Sequence, residues 1–249
     1  MNVATELAGA VARGEITAVF QPQIDIASRR IVAVEALARW NHPLLGAVSP
    51  AEFIPVAEEL GLISEIGDFM LDESCRCSSH WIDSGLSVEV AVNVSPAQLA
   101  NVDFLDRIQS NLERHRLSAD SLTIEITESL PVAEVPSVLV RLAELRELGV
   151  GISVDDFGTG HASVDRIATL PVSELKLDQS LVQDLNPPPE FLTEAIAVAK
   201  QGGLRVVAEG VETEQQFERA RGLGCDRAQG YLFGRPASEE EITRELSAS

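Results

Sequence analysis

The chain predicts an α/β fold, a (β/α)8 TIM-like barrel built as a single domain over residues 1–249, and three observations carry that prediction. Short apolar runs alternate with helical periodicities from one end to the other, the order that builds a parallel sheet covered by helices. The runs number eight, and eight strand–helix units can close into a ring. The length of 249 residues matches the roughly 250 typical of that architecture. An open doubly wound sheet is the alternative, which the count disfavours.

Asn2 to Arg13 sets Val3, Leu7 and Val11 on one helical face, with Gly14 as its stop. Val19–Asp25 is the first strand, and Pro22, which lacks a backbone donor, confines it to an edge or an irregular position. Ile31–Trp40 is the second, apolar until a glutamate and an arginine appear toward its end, as in a buried parallel strand. Ser49-Pro50-Ala51-Glu52 reads as a capping box with proline in the first turn, and a further helix runs through Ile63, Ile66, Met70, Cys77 and Trp81. Val88–Ser95 is the third strand, and Ser95-Pro96-Ala97-Gln98 caps the helix after it. Leu122–Glu128 is the fourth. The helix from Val138 to Leu148 sets Val138, Leu142 and Leu145 on one face and stops at Gly149.

The fifth strand, with Ile152 and Val154 alternating, ends in Asp155-Asp156-Phe157-Gly158. Glu174–Asp178, Arg205–Glu209 and Arg227–Phe233 complete the eight, with helices Glu190–Lys200 and Glu214–Arg221 between them. A capping box from Ser238 to Glu241 opens the last helix. No domain linker appears, since Asn186-Pro187-Pro188-Pro189 reads as a stiff loop inside one repeat unit.

A net charge of −20 repels nucleic-acid backbones and anionic membrane surfaces, so no DNA or RNA polymer is expected as a partner. A phosphate-bearing ligand would need metal to reverse the local sign. No apolar run is long enough for a membrane span, and the first residues lack the pattern of a signal peptide. Three cysteines with no CxxC pair argue against a disulfide framework or a structural zinc and fit a reducing cytoplasm.

Two neighbouring carboxylates share one site only where a strand is ending and bending, and Asp155 with Asp156 meets that condition. Alone, the pair reads equally as a surface turn or as a hard-metal site. Glu35, Asn93, Glu125, Lys176 and Glu209 fall at or near the ends of other strands, with Gln229 placed similarly on the eighth. In a barrel those ends converge on one mouth. Acids gathered there repel unless cations intervene, and two oxygen-bound metals relieve the repulsion while suiting displacement at phosphorus.

Glu35-Ala-Leu-Ala-Arg39-Trp40 resembles the signature of the EAL domain, the cyclic di-GMP phosphodiesterase of bacteria. Asn93-Val-Ser95, Glu125-Ile-Thr127-Glu128, Asp155-Asp156-Phe157-Gly158-Thr159-Gly160, Lys176-Leu-Asp178, Glu209-Gly-Val-Glu212 and Gln229-Gly-Tyr231 follow the family's order. The likeness runs from Gln21-Pro22 to Phe233-Gly-Arg-Pro236, nearly the whole chain. It implies a barrel whose first strand is antiparallel to the rest, and hydrolysis of cyclic di-GMP to linear 5′-pGpG. It also implies that Glu35, Asn93, Glu125 and Asp155 hold one Mg2+ or Mn2+, with Asp155 bridging to a second ion helped by Asp156 and Glu209. Lys176 would position the attacking water, Glu212 would support the site, Arg39 would grip a phosphate, and Gln21 and Gln229 would contact ligand or metal-shell water. A homodimer is implied as well.

The likeness weakens in the loop Gly160-His161-Ala162-Ser163-Val164, where family members often carry Gly-Tyr-Ser-Ser-Leu. That region is similar to one that couples assembly to metal binding. His161 reads as a loop histidine in preference to a catalytic base, because metals already supply the activation. Trp40, Phe20 and Phe157 read as core or as cleft wall, and Asp178 as a brace for Lys176 or a neighbour of the ligand. The competing function is a catalytically weak or inactive receptor or partner-binding module on the same fold. A different Mg2+-dependent barrel hydrolase or lyase would leave the ordered motifs without a reason.

Overall fold

The structure, a computed structural model, describes residues 2–127, 136–158, 170–184, 186 and 188–248. Among these, the strands are β1 (Ile16–Asp25), β2 (Ile31–His42), β3 (Gly46–Val48), β4 (Glu89–Asn93), β5 (Leu122–Thr127), β6 (Gly151–Phe157), β7 (Glu174–Leu177), β8 (Arg205–Ala208) and β9 (Arg227–Gln229). The sheet order is β1-β9-β8-β7-β6-β5-β4-β2-β3, and β1 also pairs with β2. The sheet therefore closes into an eight-stranded ring, with β3 hanging from β2 as the return arm of a hairpin. The helices are α1 (Val3–Glu6), α2 (Pro50–Glu59), α3 (Ile63–Asp83), α4 (Pro96–Leu99), α5 (Phe104–His115), α6 (Pro136–Leu148), α7 (Gln179–Gln183), α8 (Glu190–Gln201), α9 (Glu214–Leu223) and α10 (Glu239–Ala248).

β1 is antiparallel to both β2 and β9, whereas the remaining neighbours in the ring are parallel. The reversal has a local cause. Residues 26–30 are all that join β1 to β2, too few for the crossover that a parallel pair requires. Asp25 pins that turn by accepting bonds from the Ser28 N–H and hydroxyl at 2.7 and 2.6 Å. Pro22 is not on an edge, because β1 is paired on both sides. It occupies the gap between the bridge from Phe20 to Ala237 and the pairing of Gln23 with Gln229 at the end of β9, packed against Gly234. An irregular position of this kind asks no N–H of the proline.

Along the strands successive side chains alternate. Val34, Val90, Ile124, Ile152, Leu175 and Val206 are fully buried beneath the helices. The intervening positions, among them Glu35, Asn93, Glu125, Asp155, Glu174 and Lys176, turn into the ring. Phe20, Trp40 and Phe157 belong to the core, each 1% exposed, so the choice between core and cleft wall resolves in favour of core. Trp40 meets Phe53 edge-on at 5.9 Å and Phe20 meets Trp81 at 5.2 Å. Cys75, Cys77 and Cys225 are free and buried. No helix among the described residues is long and apolar enough to cross a membrane.

Several expectations are corrected. The helix expected over Asn2–Arg13 is one turn, Val3–Glu6, because the chain turns at Gly9 with φ 75°. Its apolar face survives, with Leu7 buried and Val3 and Val11 against the core. Ser49 makes no side-chain cap bond, so the capping box before α2 does not form, although Pro50 does occupy the first turn. The boxes at Ser95–Gln98 and Ser238–Glu241 are both made. β9 stops at Gln229, since Phe233 N–H returns to Gly230 O in a turn. α5 is a helix beyond those expected, its buried face marked by Phe104, Ile108 and Leu112. β2 runs on to His42, which leaves Glu35 in mid-strand instead of near its end.

Candidate metal centre

Carboxylates reach the mouth of the ring from β2, β5 and β6 and from the residue after β8. On β6 the register to β7 slips by one residue between Val154 and Phe157, and Asp156 takes a left-handed φ of 58°. This bulge re-aims the chain so that Asp155 and Asp156 address the same space as Glu209. Aspartate tolerates the left-handed region better than most residues. Glu209 follows β8 directly, its N–H bonded to Leu177 O at 3.1 Å. The loop that carries it is seated by two glycines. A Cβ on Gly210 would lie 2.3 Å from Gln179 Cβ, and one on Gly230 would lie 2.1 Å from the Val211 carbonyl oxygen.

Glu35 on β2 stands opposite Gln21 of β1 and is held by two amides. Asn93 Nδ2 donates to its Oε1 at 2.8 Å, and Gln229 Nε2 donates to its Oε2 at 2.6 Å. Gln229 also donates to Gln21 Oε1 at 3.2 Å and accepts from Gln23 Nε2 at 2.9 Å. Gln23 was missed by sequence reasoning. The signal available was its spacing, two residues from Gln21 on one strand and hence on the same face.

Lys176 of β7 sits at the centre, fully buried. Its Nζ is 2.8 Å from Glu209, 3.0 Å from Asp155, 3.1 Å from Glu125 and 3.4 Å from Glu35. Burial opposes its charge, yet the surrounding acids, Glu125 first, hold its proton well above the ordinary lysine value. Burial pushes Glu125 well up, with Glu35 adding to the effect, and pushes Glu209 up to about 8. Burial and the neighbouring Asp155 raise Asp156. For Glu35 burial is again the largest influence, but Lys176, Gln229 and Asn93 together outweigh it and its carboxyl lies below the usual value.

Glu35, Glu125 and Asp155 offer oxygens all within 4.8 Å of one another, and so do Asp155, Asp156 and Glu209. Asp155 belongs to both groups. The inner oxygen of Glu125, Oε1, is buried without a hydrogen-bond partner among the described residues. Asp155 Oδ1, although 3.0 Å from Lys176, makes no hydrogen bond of good geometry to it. Buried carboxylate oxygens lacking donors are costly unless a cation takes them, and oxygen donors suit Mg2+ or Mn2+. The donor set therefore fits hard divalent metal.

The opposite end of the same ring supplies a comparison. There Glu89 and Glu174 meet Arg205 and Arg227, with Arg227 bidentate to Glu89 at 2.7 and 2.9 Å and Arg205 on Glu174 at 2.6 Å. That layer balances two acids with two guanidinium groups. Among the described residues, the mouth gathers Glu35, Glu125, Asp155 and Glu209 around the ammonium of Lys176, with Asp156 grouped with Asp155 and Glu209.

Two clefts flank these acids. One, of about 350 Å3, is lined by Glu35, Asn93 and Glu125 together with Ile54, Met70 and Arg39. Arg39 is part-buried there and donates to Ala38 O at 2.9 Å. The other, of about 340 Å3, is lined by Gln21, Asp156, Asp178, Glu209, Glu212 and Gln229. Glu212 is exposed on its rim, with its backbone N–H on Gln216 Oε1. Asp178 caps α7, accepting from the Ser180 N–H at 2.9 Å, on the wall of this cleft. The structure thus gathers Glu35, Asn93, Glu125, Asp155, Glu209, Lys176, Gln21 and Gln229, with Asp156 beside them. Arg39 and Glu212 stand at the cleft walls. Glu128, Thr159, Gly160, His161, Ala162, Ser163, Val164, Asp165 and Pro187 lie outside the described residues.

The EAL domain family model matches residues 4–236. The chain belongs to the EAL domain family. This EAL domain is 39% identical over 241 residues to the bifunctional diguanylate cyclase/cyclic di-GMP phosphodiesterase MucR of Pseudomonas aeruginosa, covering 95% of the chain and 35% of that protein. It is 39% identical over 227 residues to the cyclic di-GMP phosphodiesterase PA2567 of the same organism, covering 90% of the chain and 39% of that protein. The EAL domain thus spans less than two fifths of these curated relatives, which are 35% and 39% covered. Among solved structures, the cyclic di-GMP complex of the PaMucR phosphodiesterase superposes with a TM-score of 0.89 at 38% identity, covering 96% of this chain and 99% of that one.

Proposed function

We propose that this EAL domain is a metal-dependent phosphodiesterase that hydrolyses cyclic di-GMP to linear 5′-pGpG, using two Mg2+ or Mn2+ ions. The observation that carries this reading is Asp155, shared by two groups of three acids at the mouth of the ring. Glu35, Asn93, Glu125 and Asp155 would hold one ion, and Asp155, Asp156 and Glu209 the other. The chemistry that such ions supply when bound is easier deprotonation of water and neutralisation of charge on the phosphoryl oxygens.

The chain's own residues do the rest. Asn93 and Gln229 fix the rotamer of Glu35 through its two oxygens. Lys176 brings a donor to the attacking water, a role suited to a compact ammonium. Arg39, in the part-apolar cleft, presents a guanidinium to a phosphate, Gln21 approaches the ligand from the other cleft, and Glu212 supports the site from that cleft's rim. The product-forming step opens one phosphodiester. Water adds its oxygen to phosphorus, the ribose 3′ oxygen leaves with a proton, and the ring becomes linear. A homodimer and a cytoplasmic setting belong to the same reading, the latter supported by three free, buried cysteines.

The test is incubation with cyclic di-GMP and Mg2+ or Mn2+, followed by separation of the nucleotides. Linear dinucleotide that vanishes in Glu35→Ala is the expected result. Tight capture of the cyclic dinucleotide with no product would identify a receptor instead. Asp156→Asn is expected to lower turnover more than capture, and equal losses would remove it from the proposed role.

A further inference from the structure

The acids nearest Lys176 belong to β2, β5 and β6 and to the residue following β8, so they come from distant parts of the sequence. Lys176 touches all four within 3.4 Å. At the other end of the ring Arg205 and Arg227 do the corresponding work for Glu89 and Glu174. An ammonium among the carboxylate oxygens has two consequences. It keeps mutually repulsive groups gathered, and it places positive charge where any ion ligated by those oxygens must enter. Resting on the reading of this mouth as a metal centre, we propose that Lys176 is its resident counter-cation, holding the four acids in register without metal and weakening metal binding by charge repulsion. A lysine suits this use because its flexible stem lets the ammonium withdraw when other positive charge arrives, freeing it as a donor to water. Arginine's planar fork would lock onto one carboxylate.

The experiment is calorimetric titration of the chelator-treated chain with Mn2+ alone, in the absence of cyclic dinucleotide, for wild type, Lys176→Met and Lys176→Arg. Removing a unit charge a few ångströms from a divalent ion is expected to tighten Mn2+ binding in Lys176→Met by about tenfold or more, whereas Lys176→Arg, which keeps the charge, does not tighten. The melting temperature of metal-free Lys176→Met is expected to fall, and Mn2+ to raise it by more than it raises wild type. Unchanged or weaker Mn2+ affinity in Lys176→Met overturns the proposal. So does a Lys176→Met protein that stays unfolded with Mn2+ present, since divalent charge must replace the lost ammonium. If wild type itself takes up no Mn2+, the metal-centre reading fails, and this outcome is distinct from uptake that the substitution leaves unaltered.

Discussion

Gln229 shows how much one amide does at this mouth. Its Nε2 serves Glu35 and Gln21 while its Oε1 receives Gln23, so three buried polar groups depend on it. Gln229→Leu removes a bond from each of Gln21, Gln23 and Glu35, and stability is expected to fall by about 1–3 kcal/mol, measured by urea unfolding. Mn2+ affinity is expected to fall in the same protein, because Glu35 loses one of the two amides that set its rotamer. Gly230 beside it is constrained by space. A Cβ there would meet the Val211 backbone at 2.1 Å, and backbone cannot step aside. Gly230→Ala is expected to cost about 1–3 kcal/mol and to shift the loop bearing Glu209, seen as weaker Mn2+ binding. At this scale the sequence was most readable. The acids of the mouth stand out because acids are rare inside parallel strands, although Glu35 proves to lie in mid-strand and not near a strand's end. Gln23 escaped because a buried amide in a strand looks like any other polar residue until its partner on another strand is known.

The elements hold these residues through contacts that propensity alone does not reveal. Asn93 ends β4, and the capping box of α4 begins two residues later at Ser95. The box fits only because α3 presents Gly67 there, where a Cβ would lie 1.9 Å from Gln98 Nε2. Gln98 is a movable side chain, so Gly67→Ala is expected to cost only about 1 kcal/mol, the value of a lost cap, while loosening Asn93. Thermal unfolding and Mn2+ titration of that variant check both halves.

Near the start of β1, Glu15 accepts from Arg13 at 2.7 Å and from the Trp40 indole at 3.1 Å. The Arg13 hydrogen bond, with Trp40 and the charges of Arg13 and His42 assisting, holds its carboxyl down to about 2. A lowered acid stabilises the fold above its ordinary pKa of 4.5 and loses that contribution as pH falls toward 2. Wild type is therefore expected to lose more stability between those limits than Glu15→Gln, by melting temperature against pH. These devices were only partly legible. The serine boxes at Ser95 and Ser238 announced themselves, yet Ser49 carried the same letters without making the bond, because the pattern gives residue types and not side-chain rotamers.

For the molecule as a whole, the ring carries two layers of charge with opposite logic. The balanced layer of Glu89, Glu174, Arg205 and Arg227 closes its far end. Arg227→Met should destabilise by about 1–3 kcal/mol, less than a fully buried pair because Glu89 is partly exposed, and leave Mn2+ affinity unchanged. Equal damage to both would show that the layers are not independent. The ring itself was read from the count of eight runs, and the count succeeded because β3, a three-residue arm outside the ring, was too short to register. The direction of β1 was accessible too, from the short joint at residues 26–30, although no periodicity signals it.

Closure between β1 and β9 has a consequence for synthesis. Gln21 and Gln23 are made early, but their partner Gln229 emerges more than two hundred positions later, and Glu35 waits for it as well. A nascent chain can form hairpin and helices as they appear, yet it has no finished cation pocket until its final strand is released. Acquisition of Mn2+ affinity should therefore come as a single late event, and a chain halted before Gln229 should bind the ion far more weakly than its number of acids would suggest.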